Sequence, residues 1–197
     1  MPPTKTTTID EIDAWQEVAA GTLVVGDTDD ISDAYDAMCY IEAAITDTDA
    51  SDGIEITVEV SYADNNWVEW STFKGTAETA ATTQIADNPA PAGATEILLD
   101  DSSTGDFNVL GRKWFIKDGT VANSESVRTQ ADDGSHDVSL CQDTLREHAV
   151  DTNCYDRVDE WTVQLPDAAS AVRVLYNNVD ANADYHVTMR ISKTTGV

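Results

Sequence analysis

Three histidines, His136, His148 and His186, are the side chains best suited to moving a proton near neutral pH. None stands in an HExxH or other metal-ligand spacing. Ser135-His136-Asp137 holds the three residue types of a nucleophilic triad, but sequence neighbours cannot take up triad geometry, and the segment reads as a hairpin turn. No GxSxG elbow or glycine-rich phosphate loop occurs. Asp27-Thr28-Asp29-Asp30 gathers oxygens of the kind that hold Ca²⁺, yet the glycine and glutamate of an EF-hand do not follow. Asp132-Asp133-Gly134 has the composition of a turn. His148 is expected as a structural residue at a strand-to-turn corner, and His186 as a solvated residue on an outward face. The chain therefore reads as a non-enzyme with no catalytic, cofactor or metal residues, associating only loosely with Na⁺, K⁺ or Mg²⁺.

The cysteines and aromatics are the remaining leads. Cys39, Cys141 and Cys154 are odd in number and form no CxxC, so neither a zinc site nor a disulfide framework follows. Cys39 lies in an alternating apolar run and reads as a buried free thiol. Cys141 and Cys154 are candidates for a disulfide, which spacing alone leaves open. Trp67, Trp70, Phe73, Trp114, Phe115, Trp161, Tyr176 and Tyr185 suit either a sugar-stacking platform or core packing. Alternation places Trp67 and Trp161 inward. Trp70 has the opposite parity and is the candidate contact residue.

Charge narrows the partners. Lys and Arg total 11 against 37 Asp and Glu, a formal net charge of −26 over 197 residues. Nucleic acid and anionic membranes are excluded as partners by repulsion. No apolar run is long enough to span a bilayer, and the first residues lack the apolar region of a secretory signal. With 41% hydrophobic residues the chain still builds a core. The carboxylates are scattered and lysines number five, a composition suited to molar salt, where the Debye length falls to about 3 Å.

The elements that must carry these residues are strands. Ile54, Ile56, Val58 and Val60 alternate with Glu55, Thr57 and Glu59. Trp67 to Phe73, Trp161 to Leu165, Val172 to Tyr176 and Tyr185 to Ile191 repeat the style, with turn residues between them. Thr8 and Glu11 have capping-box spacing, and Ile9, Ile12 and Trp15 share a helical face, so residues 1–20 read as an arm or short helix. Residues 76–92 have linker composition, and four short strands follow. The expectation is an all-β fold: an antiparallel β-sandwich from 21–75 and 158–197, with a small β domain, 76–157, inserted in one loop.

Two resemblances sharpen this reading. Pro91-Ala92-Gly93-Ala94-Thr95-Glu96-Ile97-Leu98-Leu99, Gly111 to Asp118, Ser124-Glu125-Ser126-Val127, Leu140 and Leu145-Arg146-Glu147-His148 together resemble a small β module of tailed-phage virion proteins and some modular extracellular proteins. The chain departs where Leu145 precedes His148 by three positions, and where Asp151 replaces an expected glycine. Asp30 to Tyr35, Val58 to Ser61, Asn66 to Phe73 and Val172 to Asn178 are similar to an Ig-like domain encoded near capsid genes of tailed viruses. Together with the composition suited to molar salt, the resemblance implies a virion protein of a haloarchaeal tailed virus, assembled in the host cytoplasm. It would be a homo-oligomer decorating or cementing the major capsid shell, or a turret component. A neck or tail adaptor is the near alternative, and a module binding host-surface glycans the alternative of another class.

Overall fold

The computed structural model describes residues 5–47, 50–63, 66–86, 89–103, 105–132 and 136–196. Asp133, Gly134, Ser135 and the side chain of Asp132 lie outside what is described, so the turn readings there stay as sequence expectations. The described residues form strands β1 (Thr6–Val18), β2 (Leu23–Val25), β3 (Asp29–Asp30), β4 (Ala34–Ile45), β5 (Ile54–Ser61), β6 (Trp67–Lys74), β7 (Thr82–Gln84), β8 (Glu96–Leu98), β9 (Lys113–Lys117), β10 (Glu125–Asp132), β11 (Asp137–Leu140), β12 (Asn153–Tyr155), β13 (Val158–Gln164), β14 (Ala171–Asn178) and β15 (Tyr185–Thr195). The one helical element among them is a single 3₁₀ turn, Val121–Asn123. Two compact units result. One comprises the chain up to Ala43, Ser51–Ala77 and Asp159 onward, and the other Ala44–Ala50 with Glu78–Val158.

The first unit is an antiparallel β-sandwich. One sheet has the order β1-β15-β4-β13 and the other β2-β14-β5-β6, with β3 extending the line of β2 along β14. Alternation dictates the interior. Val60, Val58 and Ile56 of β5 stand opposite Val172, Val174 and Tyr176 of β14, and all six are fully buried. The other sheet contributes Tyr185, Val187, Met189 and Ile191 of β15, every second residue and equally buried. Each such side chain stabilises the fold by about 1.5–3 kcal/mol.

The wiring of the sandwich is not the immunoglobulin one. β1 pairs with β15, β2 with β14, β4 with β13 and β5 with β6, four pairs nested like a long hairpin rolled across two sheets. That is the connectivity of a jelly roll. Alternation tells a strand's two faces apart but not its distant partner, so the sequence pattern suits both arrangements.

Residues 6–18 are neither arm nor helix but the first strand of this sandwich, paired with β15 from Thr6↔Thr195 to Val18↔Tyr185. The run Thr6-Thr7-Thr8-Ile9 is β-branched and costs a helix side-chain freedom. Ile9, on the supposed helical face, is 69% exposed, while Asp13, Trp15 and Val18 are buried. Register shifts between Glu11 and Asp13 and between Asp13 and Gln16 disturb the alternation and imitate a longer period.

The second unit is a small closed barrel. Its sheet runs β7-β12-β9-β10-β11-β8, and the ends meet. The Ala86 N–H donates to Leu98 O (2.9 Å) and the Asp100 N–H to Gln84 O (2.9 Å). Closure leaves this unit no free sheet edge among its described strands. Ile85, Ile97, Leu99, Phe107, Trp114, Ile116, Val127, Val138, Leu140 and Cys154 fill the interior. The Trp114 indole N–H donates to Thr129 Oγ1 (3.1 Å), whose hydroxyl donates to Phe107 O (2.6 Å).

The turn after His148 is built on Asp151, where the resemblance expects a glycine. Asp151 has φ +63°, a left-handed conformation that aspartate tolerates better than most residues. Asp151→Gly removes that strain and is expected to raise barrel stability by about 0.5–1 kcal/mol, measured as an upward shift in the denaturation midpoint.

Candidate functional site

Three kinds of place in the fold bring chemistry-bearing side chains together. In the barrel, the residues of the module-like motif converge. His148 is fully buried, and its Nε2–H donates to Glu125 Oε1 at 2.6 Å. Glu125 also accepts the N–H groups of Leu145 (2.9 Å) and Arg146 (3.3 Å), and Asp118 Oδ2 lies 3.6 Å from His148 Nδ1. The His148 backbone is itself bridged to Ala90. Thr144 is the buried residue here, donating to Pro91 O (2.6 Å) and accepting the Ala94 N–H (2.9 Å), while Leu145 is 73% exposed. The cluster latches a turn.

In the sandwich, a cleft of about 240 Å³ is lined by Asp13, Ala14, Trp15, Gln16, Val25, Gly26 and Asp27. It lies where the irregular stretch of β1 faces the turn after β2. Asp13 is 4% exposed, and its carboxylate accepts the Asp27 N–H (2.8 Å) and the Tyr176 O–H (2.7 Å). Burial pushes the Asp13 carboxyl up and the Asp27 charge adds to it, against those two hydrogen bonds. Gly26 has to be glycine, because a Cβ there would collide with Asp13 Oδ2. Both Asp13 oxygens are committed to the fold, so the cleft holds no free acid–base pair at that residue.

The remaining acidic run is dispersed by the fold. The Asp27 N–H binds Asp13, Asp29 pairs with Lys193 (2.9 Å), and Asp30 Oδ1 accepts the Ser32 N–H (2.9 Å). Among the described residues no group of three or more His, Cys, Asp or Glu is placed to hold a metal ion. His136 has φ +69° and its Nδ1 accepts the Ser102 N–H (3.1 Å), a turn residue pinned by the turn that follows β8. His186 is not solvated. It is fully buried, with Nε2 3.6 Å from Oε2 of Glu17, its register partner on β1.

All three cysteines are free thiols. Cys39 is buried, and burial with the nearby Asp29 charge pushes its thiol up to about 12. The candidate pair Cys141 and Cys154 is not joined. Cys154 points into the barrel core, where burial pushes its thiol up, while Cys141 is exposed and its thiol contacts Thr129 O (3.4 Å).

The third place is the edge formed by β6. Trp70 is 43% exposed and Val68 52% exposed. The Trp70 indole N–H donates to Gln164 O (2.9 Å), which fixes the ring at the end of β13. Phe73 stacks on Trp161 of β13, with centroids 5.9 Å apart and planes at 29°. Arg173 lies over the Trp67 ring at 4.2 Å and pairs with Glu59 at 2.7 Å. Trp67 and Trp161 are half-buried and not core residues as alternation suggests. Both strands are sheet edges, and parity at an edge does not guarantee depth. The edge offers shape and stacking surface, which suits contact and not bond-making.

The chain is thus an all-β protein, a jelly-roll sandwich with a closed barrel set between β6 and β13 in sequence. No protein-family model matches it, and no curated protein matches it. Among solved structures, a family 16 carbohydrate-binding module is similar over 92% of this chain and 74% of that one, at 9% identity and TM-score 0.34. VP17, a capsid protein of bacteriophage P23-77, is similar over 96% of this chain and 97% of that one, at 8% identity and TM-score 0.19. A structure of infectious bursal disease virus is similar over 99% of this chain and 40% of that one, at 10% identity and TM-score 0.24. At these scores the likeness carries no argument about activity.

Proposed function

We propose that the chain is a structural protein of a virus particle, most specifically a decoration, cement or turret protein on the capsid of a tailed virus of a haloarchaeon. It acts by binding and performs no catalysis. It needs no cofactor, and its cations are a loose Na⁺, K⁺ or Mg²⁺ atmosphere. Its partners are further copies of itself and the major capsid protein or another virion protein. The observation that carries the reading is the aromatic, half-exposed edge of β6 on a chain of net charge −26. In molar salt, where charge steering is screened, apolar contacts of this kind set affinity. The composition suited to molar salt and the tailed-virus resemblance support the host and the particle. A jelly roll suits the same role by analogy of fold alone.

Trp70→Ala tests this. Loss of a central tryptophan at an interface costs 2 kcal/mol or more, so occupancy of purified particles is expected to fall by roughly thirtyfold in affinity, with the fold unchanged by circular dichroism. Full occupancy of particles by the variant sinks the contact. The glycan-binding alternative rests on the same exposed indole. It is favoured if the variant fills particles normally but no longer binds host-surface glycans. Copy number per particle separates capsid decoration, in hundreds, from a neck or tail position, in a dozen or fewer.

A further inference from the structure

We propose that β6 pairs edge to edge with β6 of a second copy of this chain about a two-fold axis, joining two β2-β14-β5-β6 sheets into one continuous antiparallel sheet. This rests on the reading of the chain as a self-contacting structural protein. The sandwich has four outer strands, β1 and β13 on one sheet and β2 and β6 on the other. Three of them are guarded. β1 carries Asp10, Glu11 and Asp13, carboxylates that oppose pairing with a stranger. β13 carries Asp159 and Glu160 side by side. β2 is three residues long and is followed at once by Gly26 and Asp27.

β6 is different. It has eight residues, one register shift, at Trp70, and one carboxylate, Glu69, set among Trp67, Val68 and Trp70 in a chain with 37 acids. The shift leaves Glu69 and Lys74, the partners of Glu59 and Glu55, on the same face. Its two charges are at opposite ends of the exposed stretch, Glu69 toward the start and Lys74, one of five lysines, at the end. Antiparallel pairing about a two-fold centred near Ser71 and Thr72 carries each Glu69 toward Lys74 of the other copy. It also brings Trp70 beside the Thr72–Phe73 stretch of the other copy. The strand is therefore complementary to its own reverse in charge and in apolar content. A parallel copy would set like charges together, which is unfavourable. Strand addition of this kind takes affinity from main-chain hydrogen bonds, which salt screens least.

The test uses the full chain at the lowest salt that keeps it folded. Light scattering across a dilution series is expected to show a monomer–dimer equilibrium. Hydrogen exchange is expected to slow in β6 amides as the dimer forms, and to stay unchanged in β1, β2 and β13. Glu69→Lys and Lys74→Glu are each expected to weaken dimerisation about tenfold, since the two-fold repeats every lost pair, and the double variant E69K/K74E to restore it. A monomer at all concentrations overturns the proposal, as does a dimer whose protection falls on another strand. A monomer that still occupies particles sinks the edge pairing alone. A β6-paired dimer that never enters particles supports the pairing and sinks the virion reading.

Discussion

Dialysis from molar salt into salt-free buffer is expected to lower the melting temperature by about 10–20 °C or to unfold the protein outright. Arg112 and Arg157 pair with Asp106, Arg173 with Glu59, Arg190 with Glu42, and Lys193 with Asp10 and Asp29. The remaining carboxylates of a −26 chain have few opposite charges to face. In 1 M salt each is screened beyond about 3 Å, and in 0.01 M salt each repels its neighbours out to about 30 Å. Domains have only about 5–15 kcal/mol of stability in hand. A repulsive cost near 5 kcal/mol translates into the stated shift at this chain length. Circular dichroism and melting that stay the same in salt-free buffer would refute the salt dependence. Full rescue by millimolar Mg²⁺ or Ca²⁺, in place of molar Na⁺ or K⁺, would expose a specific ion site instead of an atmosphere.

Strand content was legible because alternation is a local property. Ile54, Ile56, Val58 and Val60 are buried at every second residue, and Tyr185, Val187, Met189 and Ile191 are buried as their alternation requires. What resisted was anything decided by a distant partner. Thr6 to Val18 follows β15, more than 160 residues away, and its two register shifts disguise the strand period. The jelly-roll wiring is likewise a set of long-range pairings that leaves no local mark. Depth was misread for the same reason: Trp67 and Trp161 sit on edge strands and His186 on an interior one, and no local pattern separates the two. In the barrel, Glu125 had a signal, since the motif residues Glu125 and His148 meet in space. Asp13 gave none. A single aspartate between Ile12 and Ala14 becomes a buried carboxylate only because Tyr176 and Gly26 arrive from elsewhere in the chain.

Asp180 is the other residue that local pattern could not flag, and its replacement is expected to be the most damaging single change in the sandwich. It is fully buried between β14 and β15. Its Oδ2 accepts the N–H groups of Ser51 (2.5 Å) and Asp52 (2.8 Å), and its Oδ1 those of Asn182 (2.9 Å) and Ala183 (3.1 Å). The Gly21 N–H donates to its carbonyl (2.8 Å). One residue thereby ties the β1–β2, β4–β5 and β14–β15 connections. Burial alone would raise the Asp180 carboxyl, but the N–H groups of Asp52, Asn182, Ser51 and Ala183 outweigh burial and hold it far below the usual carboxylate range. Asp180→Ala leaves four donors without their acceptor, at about 1–3 kcal/mol for each that water cannot reach, so a loss of about 3–5 kcal/mol is expected. Asp180→Asn keeps the shape but turns one side of the carboxylate into a donor facing donors, and should cost nearly as much. Because the folded-state pKa is depressed, the Asp180 contribution is complete above the unfolded value near about 3.9 and disappears as pH falls through the depressed one. The gap between wild type and Asp180→Asn, measured by denaturant titration, should therefore be widest near neutrality and narrow steadily below about pH 4. Asp13 works in the opposite sense, since its carboxyl is raised by burial and protonating it relieves a buried charge as pH falls. A gap between wild type and Asp180→Asn that is the same at pH 7 and in acid would show that the four N–H groups do not depend on the charge of Asp180.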